Sequence, residues 1–509
     1  METSSHLMVL SSLVFVVISA LYFTFNMLVK YWKKRGVPYL EPTFPAGNLA
    51  DMLTRRSSMG EAYANIYKRM AGMKFGGVYL MHRPILVVRD PEMIKSVLIK
   101  DFGHFHDHGF VFDEKIDPLV GNLFMLNGKK WKDLRTLLSP TFTSGKIKNM
   151  FNIFVECGLT LVKYLKDAAD NEEMIETKDI FARFSTDVIA SCAFGIECNC
   201  FKHSDAEFRR WGKRLISNSI LQTVVGMLYI SMPSVPIFFK MSMSSKSVSA
   251  FFRKIVKETV EFREKNAVRR EDFMQLLIDL KEQKLQNGER SPGLTMDEIT
   301  AQVMVFFTGG FETSSTTMSF CLYELAMNPD IQDRLRHEID EILERYEGTV
   351  TYEAIKEMTY LDKVVSETLR KYPPITFLNR NCNKDYQIPG TDLVVERGIE
   401  VVIPVLGLHK DPEYYPDPEK FDPERFSEKA KAQRPNCVYL PFGEGPRICI
   451  GMRFGLLQTK VGLVSLLSSY DFGVCERTQT PVKIDPKMFI TSALGGVWLR
   501  IRNRRNFSI

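Results

Sequence analysis

The sequence lacks any long block of charge of one sign. Its 67 lysines and arginines nearly balance its 61 aspartates and glutamates, so 509 residues carry a net charge of only +6. Proteins that bind nucleic acid through phosphate contacts usually concentrate basic residues in one patch, and no such block is present. Internal repeats and low-complexity tracts are also missing, which argues against a repeat protein and favours a globular chain.

Cysteines occur in an odd number and without regular spacing. The nine positions are Cys157, Cys192, Cys198, Cys200, Cys321, Cys382, Cys437, Cys449 and Cys475. A secreted disulfide framework would use an even number at regular spacings. The pattern therefore predicts free thiols on the reducing side of a membrane.

The N-terminal region contains a run without charge, residues 7–29. At about 1.5 Å of rise per residue, this run is long enough to cross a hydrocarbon core about 30 Å thick. Basic residues follow the run in KYWKKR, whereas a cleavable signal peptide carries them before it. The positive-inside rule then places the rest of the chain in the cytosol. We expect a transmembrane anchor over residues 1–29, with a buried helix of a soluble core as the alternative.

The rest of the chain is expected to form one domain, residues 51–509, after a basic and proline-rich hinge, residues 30–50. Runs rich in β-branched residues predict strands at residues 77–88 and 496–502. Helical periodicity is present at residues 302–327, 330–345 and 362–371. The expected fold class is mainly α with a smaller β-rich region. Five prolines in residues 411–435 predict a coil in which neither helix nor central strand persists.

One cysteine, Cys449, lies in the glycine-containing stretch PFGEGPRICIG, directly before an apolar-periodic segment, residues 452–467. A zinc site would need ligands at short spacing, but Cys437 is distant and no histidine follows His409. An inert buried thiol would need no glycines.

A third interpretation accounts for more of the stretch. A helix start lowers the pKa of a thiol, Gly443 and its neighbouring glycines allow close approach of a flat cofactor, and Arg447 offers a cation for a carboxylate. These features favour a thiolate ligand beneath a planar, acidic cofactor, as in haem-thiolate proteins.

The same stretch resembles the haem-binding signature of the cytochrome P450 family at every position. The matching residues are Phe442, Gly445, Arg447, Cys449 and Gly451. The resemblance extends from the anchor to Arg500. Among the members of the family, the chain most resembles insect microsomal enzymes that oxidise plant toxins and insecticides. It implies the cytochrome P450 fold with an N-terminal transmembrane helix. It also implies haem b (iron protoporphyrin IX) with Cys449 as the axial thiolate and metal ligand, and O2 as co-substrate.

Two further motifs fit this resemblance. Glu367 and Arg370 in SETLRKYPP are by themselves typical of a solvated surface pair, but with Arg425 in FDPERF they resemble the family's buried Glu-Arg-Arg cluster. In FFTGGFETSSTT, Glu312 and Thr313 resemble the oxygen-activating pair. Thr313 would hydrogen-bond to bound dioxygen and Glu312 would supply protons. The alternative is a helix weakened by glycine with a polar face.

The resemblance also assigns residues around the cofactor and the substrate. The residues expected to hold the haem propionates are Trp131, Arg135, Arg380 and Arg447, with Phe442 and Gly443 also in the cofactor site. The residues expected to line a lipophilic substrate pocket, with ordinary core as the alternative, are Phe110, Phe112, Phe307, Phe377 and Leu494. The uncharged residues 221–239 predict a segment in the membrane interface or, alternatively, a buried loop.

A short histidine-rich stretch, HFHDH, is the other candidate metal site. Alternate residues of a strand share a face, so His104, His106 and His108 could bind a second metal. Histidines in a solvated loop are the alternative, and the family requires no metal there.

Electrons must come from another protein, because the chain has no flavin fingerprint and no P-loop. The resemblance implies the NADPH-dependent cytochrome P450 reductase of the endoplasmic reticulum, with cytochrome b5 as a further candidate partner. Several lysines could attract such an acidic partner, although a solvated face also explains them. They are Lys129, Lys130, Lys132, Lys146 and Lys148.

We therefore expect a membrane-anchored monooxygenase that detoxifies xenobiotics with its catalytic domain facing the cytosol. Hormone or fatty acid metabolism is the alternative role for such an enzyme. Two other functions use the same cofactor: a peroxide isomerase or dehydratase that needs no reductase, and a non-catalytic haem sensor or carrier.

Overall fold

The computed structural model describes residues 2–203, 206–216, 220–286 and 293–504. The helices in this part of the chain are α1 (Glu2–Leu28), α2 (Tyr31–Lys34), α3 (Ala50–Leu53), α4 (Met59–Arg69), α5 (Pro91–Lys95), α6 (Gly128–Leu138), α7 (Ser144–Asn149), α8 (Phe151–Asp170), α9 (Thr177–Ile189), α10 (Glu207–Ile216), α11 (Ile220–Ser231), α12 (Ser234–Phe238), α13 (Lys246–Asn266), α14 (Phe273–Gln286), α15 (Met296–Met327), α16 (Pro329–Arg345), α17 (Tyr352–Glu357), α18 (Thr359–Lys371), α19 (Val405–His409), α20 (Glu428–Gln433) and α21 (Met452–Leu467). The strands are β1 (Phe75–Leu80), β2 (Arg83–Val88), β3 (Met174–Glu176), β4 (Leu378–Asn381), β5 (Tyr386–Gln387), β6 (Val394–Val395), β7 (Glu400–Ile403), β8 (Tyr470–Gly473) and β9 (Trp498–Asn503). The predicted class, mainly α with a smaller β-rich region, is confirmed.

The described strands form three small sheets. The first has the order β1-β2-β7-β4, and its β1–β2 hairpin accounts for the strands predicted at residues 77–88. In this sheet β2 and β7 are parallel, while β4 runs antiparallel to β7 with Arg380 opposite Val401. The second sheet has the order β3-β9-β8, and the third pairs β5 with β6. The first sheet therefore fixes the position of Arg380.

The helix α15 lies at the centre of the helical part. It packs against α9, α13 and α21, and nearly all of its side chains from residue 311 to 326 are buried. Its start at Met296 lies six residues before the predicted helix, because Thr295 and Glu298 form a capping box that satisfies the first free N–H groups. The predicted apolar segment after Cys449 coincides with α21.

The N-terminal helix α1 is exposed along most of its length. The stretch Met8–Lys34 has a mean hydropathy of 2.2 and only 6% of its most apolar window is buried, so one described helix is long and apolar enough to cross a membrane. Phe25, near its end, packs edge-on against Phe44 with ring centroids 5.4 Å apart.

The segment expected to be a hinge, residues 30–50, is docked on the first sheet. The buried Trp32 donates through Nε1 to the Val78 carbonyl at 3.0 Å, and Arg35 forms an ion pair with Glu396. Gly77 leaves the space for the indole, because a Cβ at Gly77 would lie 2.3 Å from its ring. This segment therefore connects α1 to the sheet through fixed contacts.

The expected coil at residues 411–435 contains more regular structure than predicted. A 3-10 turn at Pro423–Phe426 leads into α20, and Ser427 caps this helix by accepting from the Ala430 N–H. The prediction was wrong here because the prolines flank α20 instead of interrupting it: residues 424–434 contain none.

Candidate active site

The loop that carries Cys449 is folded by backbone hydrogen bonds directly before α21. The Cys449 N–H donates to the Phe442 carbonyl at 2.9 Å, which closes the loop, and Gly445–Arg447 forms a 3-10 turn within it. Arg135 of α6 donates to the Ile448 carbonyl at 3.0 Å and so ties the loop to that helix.

Two opposing influences act on the thiol of Cys449. Cys449 is an exposed residue, although many protein atoms lie around its thiol. Burial raises the pKa of Cys449, whereas the Gly451 N–H and the charge of Arg135 lower it. The helix start and a cation therefore favour the thiolate, as the sequence predicted, but desolvation is the larger effect.

Glycine occupies the positions of this loop for different structural reasons. Gly443 and Gly445 both have positive φ, 72° and 74°, which favours glycine at each position. A Cβ at Gly445 would lie 2.0 Å from the Leu98 carbonyl oxygen, so Gly445 permits contact with the neighbouring backbone. A Cβ at Gly451 would meet no atom within 4 Å. Gly445 is therefore required by its contact with the Leu98 backbone and not by close approach to a cofactor.

Three arginines predicted to hold haem carboxylates lie near one another. Arg447, almost completely buried, lies over the ring of Trp131 with its guanidinium carbon 4.0 Å from the ring centre. Burial and the positive charge of Arg380 lower the pKa of Arg447 to about 9, and Arg135 acts in the same direction. Asp107, 3.5 Å from Arg447, is the one carboxylate that opposes this effect. The structure therefore brings together Trp131, Arg135, Arg380 and Arg447.

These residues fit the propionates of haem. Arg380 is fully buried and its Nε has no hydrogen-bond partner, and Nη1 of Arg447 is buried and unpaired as well. Burial lowers the pKa of Arg380 to about 10. Buried donors without acceptors are costly and uncommon in native proteins, and two of them beside an excess of cations are suited to a group with two carboxylates. An accessible thiol near this cluster provides the remaining donor that haem-thiolate binding requires.

The predicted Glu-Arg-Arg cluster is present and almost completely buried. Arg370 donates to both carboxylate oxygens of Glu367 at 2.7 and 2.8 Å, and neither residue has exposed surface. Arg425 lies 3.5 Å from the same carboxylate. Glu367 also accepts from the Asp422 N–H, and Arg370 donates to the Pro418 carbonyl. The cluster therefore attaches the proline-rich segment to α18.

The predicted oxygen-activating pair lies on α15, which is helical throughout Gly309 and Gly310. Thr313 is half-buried among buried neighbours and its hydroxyl donates to the Gly309 carbonyl at 2.6 Å. Glu312 is buried and forms an ion pair with Lys178 of α9 at 2.9 Å. Burial lowers the pKa of Lys178, and the charge of Glu312 opposes this shift. No sequence pattern points to this lysine, because its distance from Glu312 along the chain exceeds any local spacing.

The residues predicted to line the substrate pocket do not form one group. Phe110 and Phe112 are half-buried with ring centroids 5.8 Å apart, and Phe112 contacts Tyr229 of α11. Phe377 instead contacts Tyr63 and Phe489. Leu494 is 42% exposed, before β9.

Phe307, also predicted to line the pocket, lies in the alternative environment, the ordinary core. Its ring has no exposed surface and packs against Phe208, Phe252 and Phe311 in the helical core. Gly212 of α10 provides the room, since a Cβ there would lie 2.7 Å from this ring.

The three histidines do not form a metal site. His106 contacts Asp107 at 2.7 Å, and Arg380 faces Nδ1 of His108 at 3.2 Å. Burial, followed by the charges of Arg380 and Arg447, lowers the pKa of His108. No group of three or more possible ligands from His, Cys, Asp and Glu is positioned to hold a metal within the part of the chain that the structure describes.

Comparison with known proteins agrees with this geometry. The family model described as Cytochrome P450 matches residues 39–499. The chain is 43% identical to Cytochrome P450 6a2 of Drosophila melanogaster, over 97% of this chain and 99% of that relative. It is 43% identical to Cytochrome P450 6A1 of Musca domestica over 93% of each chain, and 41% identical to Cytochrome P450 6k1 of Blattella germanica over 94% of each. The chain therefore belongs to the cytochrome P450 family and is a haem-dependent monooxygenase.

Proposed function

We propose that this monooxygenase is anchored in the endoplasmic reticulum membrane and oxidises lipophilic foreign compounds with electrons from an NADPH-dependent reductase. The observation that carries the proposal is an exposed Cys449 directly before α21, near buried arginines with unpaired donors. The similarity to insect cytochromes P450 supports the role in detoxification.

The Cys449 thiolate would hold the haem iron, and Arg380, Arg447, Arg135 and Trp131 would hold the two propionates. When bound, haem supplies the redox chemistry that inserts one atom of O2 into the substrate and reduces the other to water. Arg380 Nε and Arg447 Nη1 would donate to carboxylate oxygens, which satisfies both buried nitrogens. Arg135 would favour the charged sulfur, since its cation already lowers the pKa of Cys449.

Thr313 and Glu312 would manage protons on the α15 side. The Thr313 hydroxyl donates to the Gly309 carbonyl and would instead donate toward the co-substrate O2, while its oxygen accepts a hydrogen bond from a second donor. Glu312 is charge-paired with Lys178, so Glu312 must exchange this partner before its carboxylate can carry a proton. Lys178 also contacts Ser315 and Thr316, which hold its ammonium group next to α15.

Two apolar surfaces would contact the membrane. One is the exposed α1, which coincides with the anchor expected at residues 1–29. The other is α12 and the residue after it, where Phe238 is 79% exposed and Phe239 is 68% exposed. Exposed aromatic residues of this size favour an interfacial position over the alternative of a buried loop.

The reductase would dock on the face of α6 and α7. Lys132 and Lys146 border a groove of about 610 Å³ whose floor includes Leu137, Pro140 and Leu276. The other three predicted lysines already have carboxylate partners: Lys129 with Asp133, Lys130 with Glu114 and Lys148 with Glu353. Lys132 and Lys146 are therefore the stronger candidates for attracting an acidic partner.

The test is a reduced carbon monoxide difference spectrum of the full chain in membranes, followed by turnover of a lipophilic substrate. A spectrum typical of thiolate-ligated haem, lost in Cys449→Ala and retained in Cys475→Ser, is the expected result. Substrate consumption should require both NADPH and reductase. Turnover with peroxide substrates in their absence would instead indicate the isomerase or dehydratase.

A further inference from the structure

His409 lies between the buried charge cluster and the cysteine loop. It is the last residue of α19 and has no exposed surface. Its ring stacks on Tyr439, with centroids 5.4 Å apart and an interplanar angle of 22°. None of the roles assigned above uses this histidine, although it contacts both parts of the site.

The hydrogen bonds of the ring define its protonation. Nε2 accepts from the Leu440 N–H at 2.9 Å, so this nitrogen carries no hydrogen. Nδ1 lies 3.1 Å from the Arg370 carbonyl, to which it donates as the protonated nitrogen of a neutral ring. Arg370 in turn donates from Nη1 to the His409 carbonyl at 2.8 Å.

Leu440 connects this ring to the cysteine. Its carbonyl accepts from the Gly443 N–H at 3.1 Å, which turns the chain into the loop. Two residues after Leu440, the Phe442 carbonyl accepts from the Cys449 N–H at 2.9 Å. A shift of the Leu440 peptide would therefore move the acceptor that positions the Cys449 backbone.

We propose that His409 is a positioning residue for the thiolate, because its unprotonated Nε2 fixes the Leu440 peptide from which the cysteine loop turns. The inference rests on the assignment of Cys449 as the axial ligand, proposed above. Without an acceptor for this N–H, the buried Leu440 amide is unsatisfied and the loop relaxes to give it another partner. Relaxation of the loop moves the sulfur and favours the neutral-thiol form of the haem.

Two substitutions by amide side chains test the roles of the two ring nitrogens separately. In His409→Gln an amide oxygen lies as many bonds from the backbone as Nε2 and can accept from Leu440. In His409→Asn the shorter amide can replace Nδ1 but does not reach Leu440. Tyr439→Phe is the matched control, because it removes a partly buried hydrogen bond from the same cluster, the bond to the Ser366 carbonyl, and leaves the Leu440 contact intact.

The experiment follows the carbon monoxide spectrum of each full-length holoprotein at constant temperature. His409→Asn is expected to lose the thiolate-type spectrum about tenfold faster than the unmodified protein, while His409→Gln and Tyr439→Phe stay within about twofold. Equal rates for Asn and Gln, whether both fast or both slow, would overturn the proposal.

If His409→Asn does not accumulate, the comparison of His409→Gln with Tyr439→Phe decides. A Gln variant that loses the thiolate spectrum faster than this control contradicts the proposal, and one that keeps it supports the proposal. An unmodified protein without any thiolate-type spectrum would instead refute the assignment of Cys449.

Discussion

Two buried nitrogen atoms indicate what kind of cofactor the site would bind. Arg380 Nε and Arg447 Nη1 are two donors in one site that the described protein leaves unpaired. In a haem-free chain this arrangement costs free energy, because buried donors lose their water without gaining an acceptor. Residues that destabilise the chain until a ligand arrives are typical of binding sites.

Arg370 provides a prediction about the buried charge cluster. Arg370→Met leaves the Glu367 carboxylate buried without its bidentate partner, which is expected to cost about 3–5 kcal/mol in free energy of unfolding. Haem-containing protein should then fail to accumulate, measured as the yield of carbon monoxide spectrum per amount of chain. Arg425→Met is the control. Arg425 is partly exposed and lies 3.5 Å from Glu367, farther than Arg370, so its loss should destabilise the protein less. Equal losses would show that the bidentate pair has no special importance.

His409 provides a prediction about pH. Burial, and next the charge of Arg370, lowers the pKa of His409 from 6.5 to about 3, with Arg434 acting in the same direction. The neutral ring therefore stabilises the fold fully above pH 6.5, and this contribution is lost as pH falls toward 3. The loss at pH 4 is expected to be about 3 kcal/mol from this residue.

Denaturant unfolding of holoprotein between pH 7 and pH 4 measures this effect. The tyrosines packed near the ring, Tyr415 and Tyr439, stay neutral over this range because burial raises the pKa of each. His409→Gln cannot titrate, so its free energy of unfolding should depend less steeply on pH. The same slope in both proteins would contradict the prediction.

At the scale of elements, α15 combines a structural and a chemical role. Its residues 311–326 are buried against α9 and α21 except at Thr313, so one position of a core helix remains available for chemistry. The Glu312–Lys178 pair joins this position to α9. Burial explains why the sequence interpretation as a polar helix face was insufficient: the hydroxyls of Ser315, Thr316 and Thr317 make hydrogen bonds within the protein.

Thr313 provides a prediction for this helix. Thr313→Ala should bind haem but form product roughly 10²-fold more slowly, since a hydroxyl that relays protons is lost. NADPH consumption should continue and yield hydrogen peroxide, measured with the product in the same assay. Thr313→Ser should restore most product. Thr317→Ala is a second control, because Thr317 donates to the carbonyl four residues earlier, as Thr313 does, but is buried. Unchanged coupling in Thr313→Ala would remove its proposed role.

Elements with strong local signals could be predicted from the sequence. Apolar periodicity located α21, and the β-branched runs located the β1–β2 hairpin. The coil at residues 411–435 was predicted less well, because the helix α20 depends on a serine cap and on flanking prolines instead of on apolar periodicity. The surroundings of Phe307 could not be predicted for a different reason: a helix has several buried faces, and only packing shows that this one meets α10.

At the scale of the whole molecule, the two apolar surfaces provide a prediction about membrane binding. A chain without residues 2–28 should bind vesicles less strongly but still measurably, because Phe238 and Phe239 remain exposed. Replacing both by serine in the truncated chain should release it into the soluble fraction, measured by sedimentation with vesicles. The same two changes in the full chain are the control and should leave it sedimenting. A truncated chain that is soluble with both phenylalanines intact would contradict this prediction.

The sequence predicted much of the site because cofactor binding by this family depends on short motifs. The arginines of different segments could be named only through resemblance, since the distance of Arg135 from Arg447 along the chain exceeds any local spacing. Lys178, Asp107 and His409 were not assigned a role at all. Each acts through a partner that is distant in sequence, and tertiary contacts of this kind leave no periodic pattern.

With α1 as the proposed membrane anchor, the docked segment after it would couple the orientation of the rest of the protein to lipid thickness. Trp32 fixes the end of the apolar helix to the first sheet and Arg35 fixes it to Glu396 after β6, so the domain would not swivel freely about that helix. A spanning helix tilts more in a thin bilayer and stands more upright in a thick one. With the joint rigid, the domain would rotate through the same angle, and Phe238 and Phe239 would move to a different depth. Membrane composition would then regulate how readily a dissolved lipophilic molecule reaches the enzyme.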